Sequence, residues 1–471
     1  VRLARVVAAG ITLSLGLGCA VGPDYVRPPV DAPDDYRGQV GAAEAFSIAD
    51  LPWWQVFEDE VLQGLILEAI ANNYDLKTAV SRVEQAKALV GVAQSPFYPQ
   101  IQYQGSAGRQ RQPQLLQQPS ATFDLFFGAF ALAWEIDVWG RIRRSSEAAQ
   151  EQLFATEEFR RGVLLSLVTA VAQSYLQLIE LDRELQISRE TVKSFEDTLQ
   201  LFTRQYTGGV GNKLQVDRAE AALAQTEAQV PELERQIVVQ ENVIRVLLGK
   251  NPGEVPRGIS LVDRPAPPTT PPGLPSALLE RRPDVLQAEH TIAAANAQVG
   301  VAIANFFPQI GLTALYGGQS TELADIVKGN FSIWNVAGNA AGPLFQGFLL
   351  LEQYRAQVAN WDATQAQYES TIVNAFAEVS NTLTAQTKFA EVRVAQERAV
   401  RALQESVRLS ILRYTSGLAG YFEVLEAQQQ LFPAEIALAQ VQLSQLLTVV
   451  TLYRALGGGW QLTDDQWSQK P

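Results

Sequence analysis

The chain has 471 residues, 47% of them hydrophobic and 18% charged, a balance that excludes general disorder and leaves room for a large core. Its 37 Lys+Arg against 50 Asp+Glu give a formal net charge of −13, a field that repels phosphate backbones and argues against nucleic acid as a partner. One cysteine and one histidine leave no ligand set for a structural zinc site or an iron–sulfur cluster, no intrachain disulfide, and little material for thiol or imidazole catalysis. The histidine, His290, lies in a helical run without a triad-like Ser, Cys or acid and reads as a surface or packing residue.

At the amino end, Arg2 and Arg5 precede an apolar stretch from Val6 to Leu17. It is shorter than the roughly 20 residues a membrane-spanning helix needs, but it has the size of a signal-peptide core. Residues 1–18 are therefore expected to direct export. The stretch ends at Gly16-Leu17-Gly18-Cys19, so the only cysteine falls where a bacterial lipoprotein signal is cut and its new terminal cysteine acylated. Gly16 departs from the Leu usual at that position; the other reading of Cys19 is a buried free thiol in an uncleaved segment. Acyl chains on Cys19 would contribute about 0.8 kcal/mol per buried CH₂, enough for a firm anchor. Residues 19–60 then read as a leash, stiffened at its start by Pro23, Pro28 and Pro29.

Self-similarity organises the rest. Tyr98-Pro99-Gln100-Ile101 is answered by Phe307-Pro308-Gln309-Ile310, and Arg204-Gln205-Tyr206-Thr207-Gly208-Gly209-Val210 by Leu412-Arg413-Tyr414-Thr415-Ser416-Gly417-Leu418. Leu248-Gly249 is likewise answered by Leu456-Gly457, a constant shift of about 208 residues. Two tandem structural repeats are expected, over 61–251 and 276–460, with the proline-rich stretch 252–275 as connector and 461–471 as tail.

Within each repeat the period changes from two to helical. Ile101 to Ala107 alternates, Phe123 to Val138 is aromatic-rich, and Ile310 to Tyr316 and Phe331 to Ala337 stand in the matching places, which predicts two strands per repeat. Four strands cannot close around a lumen, and an open sheet with aromatic faces would leave edges that lipid does not tolerate, so other copies must complete it. Ser145 to Tyr206 contains only Gly162, and Phe348 to Ser416 contains neither Gly nor Pro, which predicts helices of roughly 90–100 Å at 1.5 Å per residue. These helices alone would also suit an ordinary long coiled coil. Each ends at a glycine turn, with Gly208, Gly209 and Gly211 in the first and Gly417 and Gly420 in the second, followed by a returning helix. Pro231 and Pro433 lie inside the returning helices, where each either bends or breaks the rod.

Together these residues resemble the outer membrane factors, the TolC-like channels of tripartite efflux, and within them the NodT-related lipoprotein branch. The resemblance is carried by Cys19-Ala20-Val21-Gly22-Pro23-Asp24-Tyr25, the two Pro-Gln-Ile sites, Arg281-Arg282-Pro283-Asp284-Val285, the tip from Arg413 to Leu431, and Ala455-Leu456-Gly457-Gly458-Gly459-Trp460. It implies an α+β fold dominated by long α-helices. Three copies would form one 12-stranded outer-membrane β-barrel joined to a periplasmic α-helical barrel. It also implies a lipid-anchored homotrimer in outer-membrane lipid that docks a periplasmic adaptor (a membrane fusion protein) and, through it, an inner-membrane pump of the resistance-nodulation-division type. Substrate would be conducted passively, with no catalytic residue and no cofactor.

The family's periplasmic aperture is closed by an apolar side chain and, one turn later, an acid. The matching positions are Phe422 and Glu426, with Leu214 and Arg218 as their repeat counterparts, so a Glu426–Arg218 bridge between neighbouring hairpins is an expectation. Ala419 and Gly420 stand where the family often has a further acid. The same duct would also serve a type I protein-secretion system, and the rival of another class is a non-porous structural coiled-coil envelope protein. An enzyme would need paired acids in a pocket. Glu157-Glu158 and Asp34-Asp35 lie instead in helix-surface and leash contexts.

Overall fold

The computed structural model describes residues 20–39, 46–112, 121–267 and 271–468; the signal stretch 1–18 and Cys19 fall outside them. The principal helices of the first half are α1 (Glu60–Asn72), α2 (Tyr74–Gln94), α3 (Arg141–Thr207), α4 (Lys213–Glu227) and α5 (Gln229–Leu247). Those of the second half are α6 (Pro283–Ala304), α7 (Leu349–Thr415) and α8 (Tyr421–Ala455). Strands β1 (Gln100–Gln112) and β2 (Ala121–Ile136) stand between α2 and α3, and β3 (Gln309–Ser320) and β4 (Ser332–Ala341) between α6 and α7. The long helices α3 and α7 each have 67 residues, about 100 Å of rise, because almost nothing in either run breaks a helix.

The described chain divides into two compact units, one drawn from Val1–Pro29, Ser81–Glu157 and Gln287–Glu369, the other from Val30–Val80, Glu158–Leu286 and Ser370–Pro471. In the first, the four strands form one antiparallel sheet in the order β1-β2-β3-β4. The two hairpins have superposable registers: Ile101 faces Leu132 in the first, and Ile310 faces Ala340 in the second. Val83, Ala86 and Val90 of α2 pack on Ala149 and Leu153 of α3.

The leash enters this unit beside the β2–α3 junction. Val21 N donates to Trp139 O at 3.0 Å, and the buried Arg144 guanidinium meets Asp24 at 2.7 Å and the carbonyl of Gly22 at 3.3 Å. Gly140 is required here: its φ is +79°, and a Cβ would stand 2.6 Å from Ala20 Cα. Asp137 caps α3, its carboxylate accepting from Ile142 N and Arg143 N, each at 3.0 Å. The second repeat solves the same turn differently. Phe348 takes the left-handed position with φ +67°, after Gly347 at +58°, a conformation that costs a bulky residue about 1–2 kcal/mol.

In the second unit, Asp59 caps α1 by accepting from Val61 N and Leu62 N, and its other oxygen takes Tyr175 OH at 3.3 Å and the Arg264 guanidinium. The connector is thereby pinned to α1 and α3. The two prolines part ways. Pro433 sits inside the continuous α8, whereas the helix of the first repeat is interrupted after Glu227, with Pro231 in the first turn of α5. A proline ring crowds the carbonyl four residues earlier, which at Pro231 is that of Glu227.

Candidate channel wall and aperture

Over the half of the sheet nearest the helices, register sorts the strand residues onto two unlike faces; towards the far end of the first hairpin the sorting breaks down, with Arg109, Arg111 and Asp124 on the side of the aromatic row and Phe123, Leu125 and Phe127 on the other. On one face, Tyr103, Phe130, Tyr316 and Trp334 stand directly opposite one another across all four strands, and all four are exposed. Neighbouring rows on that face carry Ile101, Leu132, Ala314 and Val336, then Trp134 and Leu312. The other face carries Gln100, Gln102 and Gln104 on β1, Ala129, Ala131 and Ala133 opposite them, Thr313 on β3, and Asn335 and Asn339 on β4. Left in water, each large ring of the first face forgoes roughly 1.5–3 kcal/mol of burial. Among the described residues, the outer edges of β1 and β4 lack a partner strand.

The hairpin tips belong to the second unit and are built alike. Gly209 and Gly417 both have positive φ, +75° and +73°. Val210 N donates to Gln205 O at 3.0 Å, and Leu418 N to Arg413 O at 2.9 Å, the six-residue closure of a helix ending on a left-handed glycine. Gly208 follows α3 directly, and Gly211 lies within 3.0 Å of Gln205 and Tyr206 if given a Cβ. Beyond the turns the tips differ. Asn212 caps α4 with a reciprocal Gln215 contact, whereas its counterpart Gly420 offers no side chain, and Arg413 instead reaches across the turn to Glu423 at 3.3 Å.

Under the tips lies an apolar cluster: Phe195 and Phe202 from α3, Ala219, Ala222 and Leu223 from α4, and Tyr421, Val424 and Leu425 from α8. Phe202 and Tyr421 have ring centroids 3.9 Å apart, and Tyr414 OH donates to Gln205 Oε1 at 2.7 Å. With that face of α8 occupied, Phe422 and Glu426 are turned outward; Leu214 and Arg218 are turned outward from α4 in the same way. Glu426 Oε1 accepts from Gln430 at 3.4 Å. The expected Glu426–Arg218 bridge does not form within one chain among the described residues.

Sequence reasoning missed a buried acid pair farther along α3. Glu180 and Glu184, one turn apart, are both buried; burial first, then the neighbouring Glu184, push the Glu180 carboxyl up to about 8. Glu184 Oε1 accepts from Gln440 Nε2 of α8 at 2.9 Å. The four-residue spacing inside an apolar run was the available signal. His290 is satisfied by Glu151 Oε2 at 2.7 Å and packs beside the Phe154 ring. Among the described residues no group of three or more His, Cys, Asp or Glu is placed to hold a metal ion. α3 and α8 are long and apolar enough to cross a membrane, but most of the apolar window of α3 is buried by its own chain, as in a core helix.

An exposed aromatic band on a sheet with open edges, with paired helical hairpins ending in matched tips, defines an outer-membrane channel of the efflux type. The chain belongs to the outer membrane efflux protein family, whose profile matches it twice, over residues 65–250 and 274–458. It is 33% identical over 466 residues to the probable efflux pump outer membrane protein TtgC of Pseudomonas putida, covering 96% of this chain and 95% of that protein. It is 31% identical to the probable outer membrane lipoprotein SilC of Salmonella typhimurium, covering 95% and 97%. The solved outer-membrane channel OprN superposes with a TM-score of 0.88 at 29% identity, over 94% of this chain and all of that one. Outer membrane efflux channels work with an adaptor and an inner-membrane pump, and this chain resides in the outer membrane and extends into the periplasm.

Proposed function

We propose that three copies of the chain form one passive exit duct, lipid-anchored through Cys19 and opened at its periplasmic mouth by an adaptor. Each copy contributes four strands to a 12-stranded barrel and four helical rods to a periplasmic tube. Over the half of the sheet nearest the helices, the apolar face, with its row from Tyr103 to Trp334, meets lipid, and the face bearing the Gln, Asn, Thr and Ala residues lines an aqueous lumen. The observation that carries the reading is the pair of open edges on β1 and β4. In hydrocarbon each unpaired backbone group costs several kcal/mol, so the edges need strands from other copies.

The mouth is gated by Phe422 and Glu426, with Leu214 and Arg218 on the adjoining hairpin. The glycine tips, Gly208, Gly209, Gly211, Gly417 and Gly420, are where the adaptor docks, relaying substrate from an inner-membrane pump of the resistance-nodulation-division type. Support comes from the outward aim of all four gate side chains while the opposite face of each helix is packed. The closing leash contacts of Val21, Gly22 and Asp24 hold the residues next to Cys19 at the β2–α3 junction, a fitting place for an acyl anchor. Conduction needs no nucleophile, only a lumen and a mouth that changes state.

Planar-bilayer recording of the purified protein tests the reading. Phe422→Ala and Glu426→Ala should each raise the closed-state current several-fold. Unchanged currents would remove these residues from the gate, and a stable, non-conducting monomer would end the proposal.

A further inference from the structure

The two strand-to-helix junctions are related by the repeat, but only one is covered. In the first, Trp139 stacks on Phe307 with centroids 4.7 Å apart, and Trp139 Nε1 donates to Pro308 O at 2.8 Å. That contact joins the end of the first repeat's hairpin to the segment that leads into the second repeat's first strand. The shift relating the repeats carries Trp139-Gly140 onto Gly347-Phe348, and Phe307-Pro308 onto Tyr98-Pro99. Both of these counterparts are largely uncovered: Tyr98 is 70% exposed, and Phe348 is 67% exposed, its ring meeting the Phe345 ring edge-on with centroids 6.0 Å apart, with Leu344 exposed beside them. One chain thus holds a complete copy of the junction in its middle and the two unmatched halves of another at its open edges.

We propose that the Gly347-Phe348 junction receives the Phe97-Tyr98 segment of a second copy, forming between molecules the aromatic contact that Trp139 and Phe307 form within one. This rests on the multi-copy barrel proposed above and names the surface that closes it. A ring built by repeating one heterologous interface requires the same contact at every joint, and the superposable hairpin registers make the repeats equivalent at this point. The change in residue order has a physical reason. In the first junction the leash lies against Gly140 and leaves no space for a side chain, so the aromatic ring stands one position earlier, on Trp139. The second junction has no leash contact among the described residues, and its ring stands on Phe348 itself, at a left-handed backbone position that disfavours it. The strain is retained because the ring is needed by the neighbouring copy.

The test exploits opposite signs. Phe348→Gly relieves the backbone, so if the ring had no partner the trimer should persist to a higher temperature in detergent. The docking predicts the reverse: Phe348→Gly and Tyr98→Ala each lower the temperature at which the trimer dissociates, and the double variant falls little further than the worse single one. In the full-length protein, Tyr98→Cys combined with Phe348→Cys should give covalent oligomers with a short bismaleimide, and neither single variant should. A trimer stabilised by Phe348→Gly, or intact without crosslinks, overturns the junction and leaves the shared barrel standing. A parent protein that is monomeric from the outset overturns both.

Discussion

The helices α3 and α7 have the same length and end in the same turn, yet they live in different surroundings. Leu165 of α3 is 4% exposed, whereas Val373, its counterpart under the repeat, is 65% exposed. On α3 the neighbouring Tyr175 is covered by Asp59 of the α1 cap and by Gly258 and Arg264 of the connector. On α7 the covering segment is the leash: the Tyr36 ring lies 6.3 Å from Phe376, and Ser380 Oγ donates to Arg37 O at 2.9 Å. Helix length therefore follows from the absence of breakers and is inherited by both copies. Burial follows from which distant segment comes to rest on each, and there the repeats have diverged.

The largest test of that contrast is Asp59→Ala. It uncaps α1 and leaves the Arg264 guanidinium and Tyr175 without their shared acceptor, and removing one partner of a buried pair typically costs about 3–5 kcal/mol. Loss of the second unit's cooperative denaturant transition, or a large shift of its midpoint, is expected; a shift under about 1 kcal/mol would mean that the connector does not hold α3.

Next comes the acid pair that the first repeat alone possesses. Because the Glu180 carboxyl sits well above its ordinary range when folded, the folded protein binds an extra proton between that range and about 8. Stability should accordingly fall as pH rises through this window. Glu180→Gln should flatten the dependence and stabilise the protein at the alkaline end, by on the order of 1–3 kcal/mol in thermal melts followed across pH. An unchanged slope would place the charge elsewhere.

The smallest effect belongs to the second tip. The Arg413–Glu423 pair is half exposed on both sides, and such pairs contribute about 1 kcal/mol or less. Glu423→Ala should hardly move the melting temperature, and what effect it has should vanish in high salt.

Much of this architecture was legible in the sequence. The Gly- and Pro-poor runs gave both long helices to within a few residues, since a helix continues until something stops it. The strand expected over Ile101 to Ala107 extends in fact to Gln112, because its far end, rich in Gln and Arg, lacks the apolar alternation on which the reading relied. The outward aim of Phe422 and Glu426 follows from their spacing once Tyr421, Val424 and Leu425 are seen to face the core. What stayed hidden was long-range. Nothing local announces that Asp24 meets Arg144 at 2.7 Å, that Glu184 meets Gln440, or that four aromatic rings from four strands fall in one row. Such pairings are settled by register and tertiary approach, which single-chain periodicity does not encode.

The central claim is that one sheet face meets lipid and the other meets water. Cysteines placed singly at Phe130 and at its chain neighbour Ala131, in protein reconstituted into vesicles, test it most directly. The account predicts that Phe130→Cys reacts only with a membrane-soluble reagent and Ala131→Cys with a water-soluble maleimide. Equal labelling of both by the water-soluble reagent would contradict it.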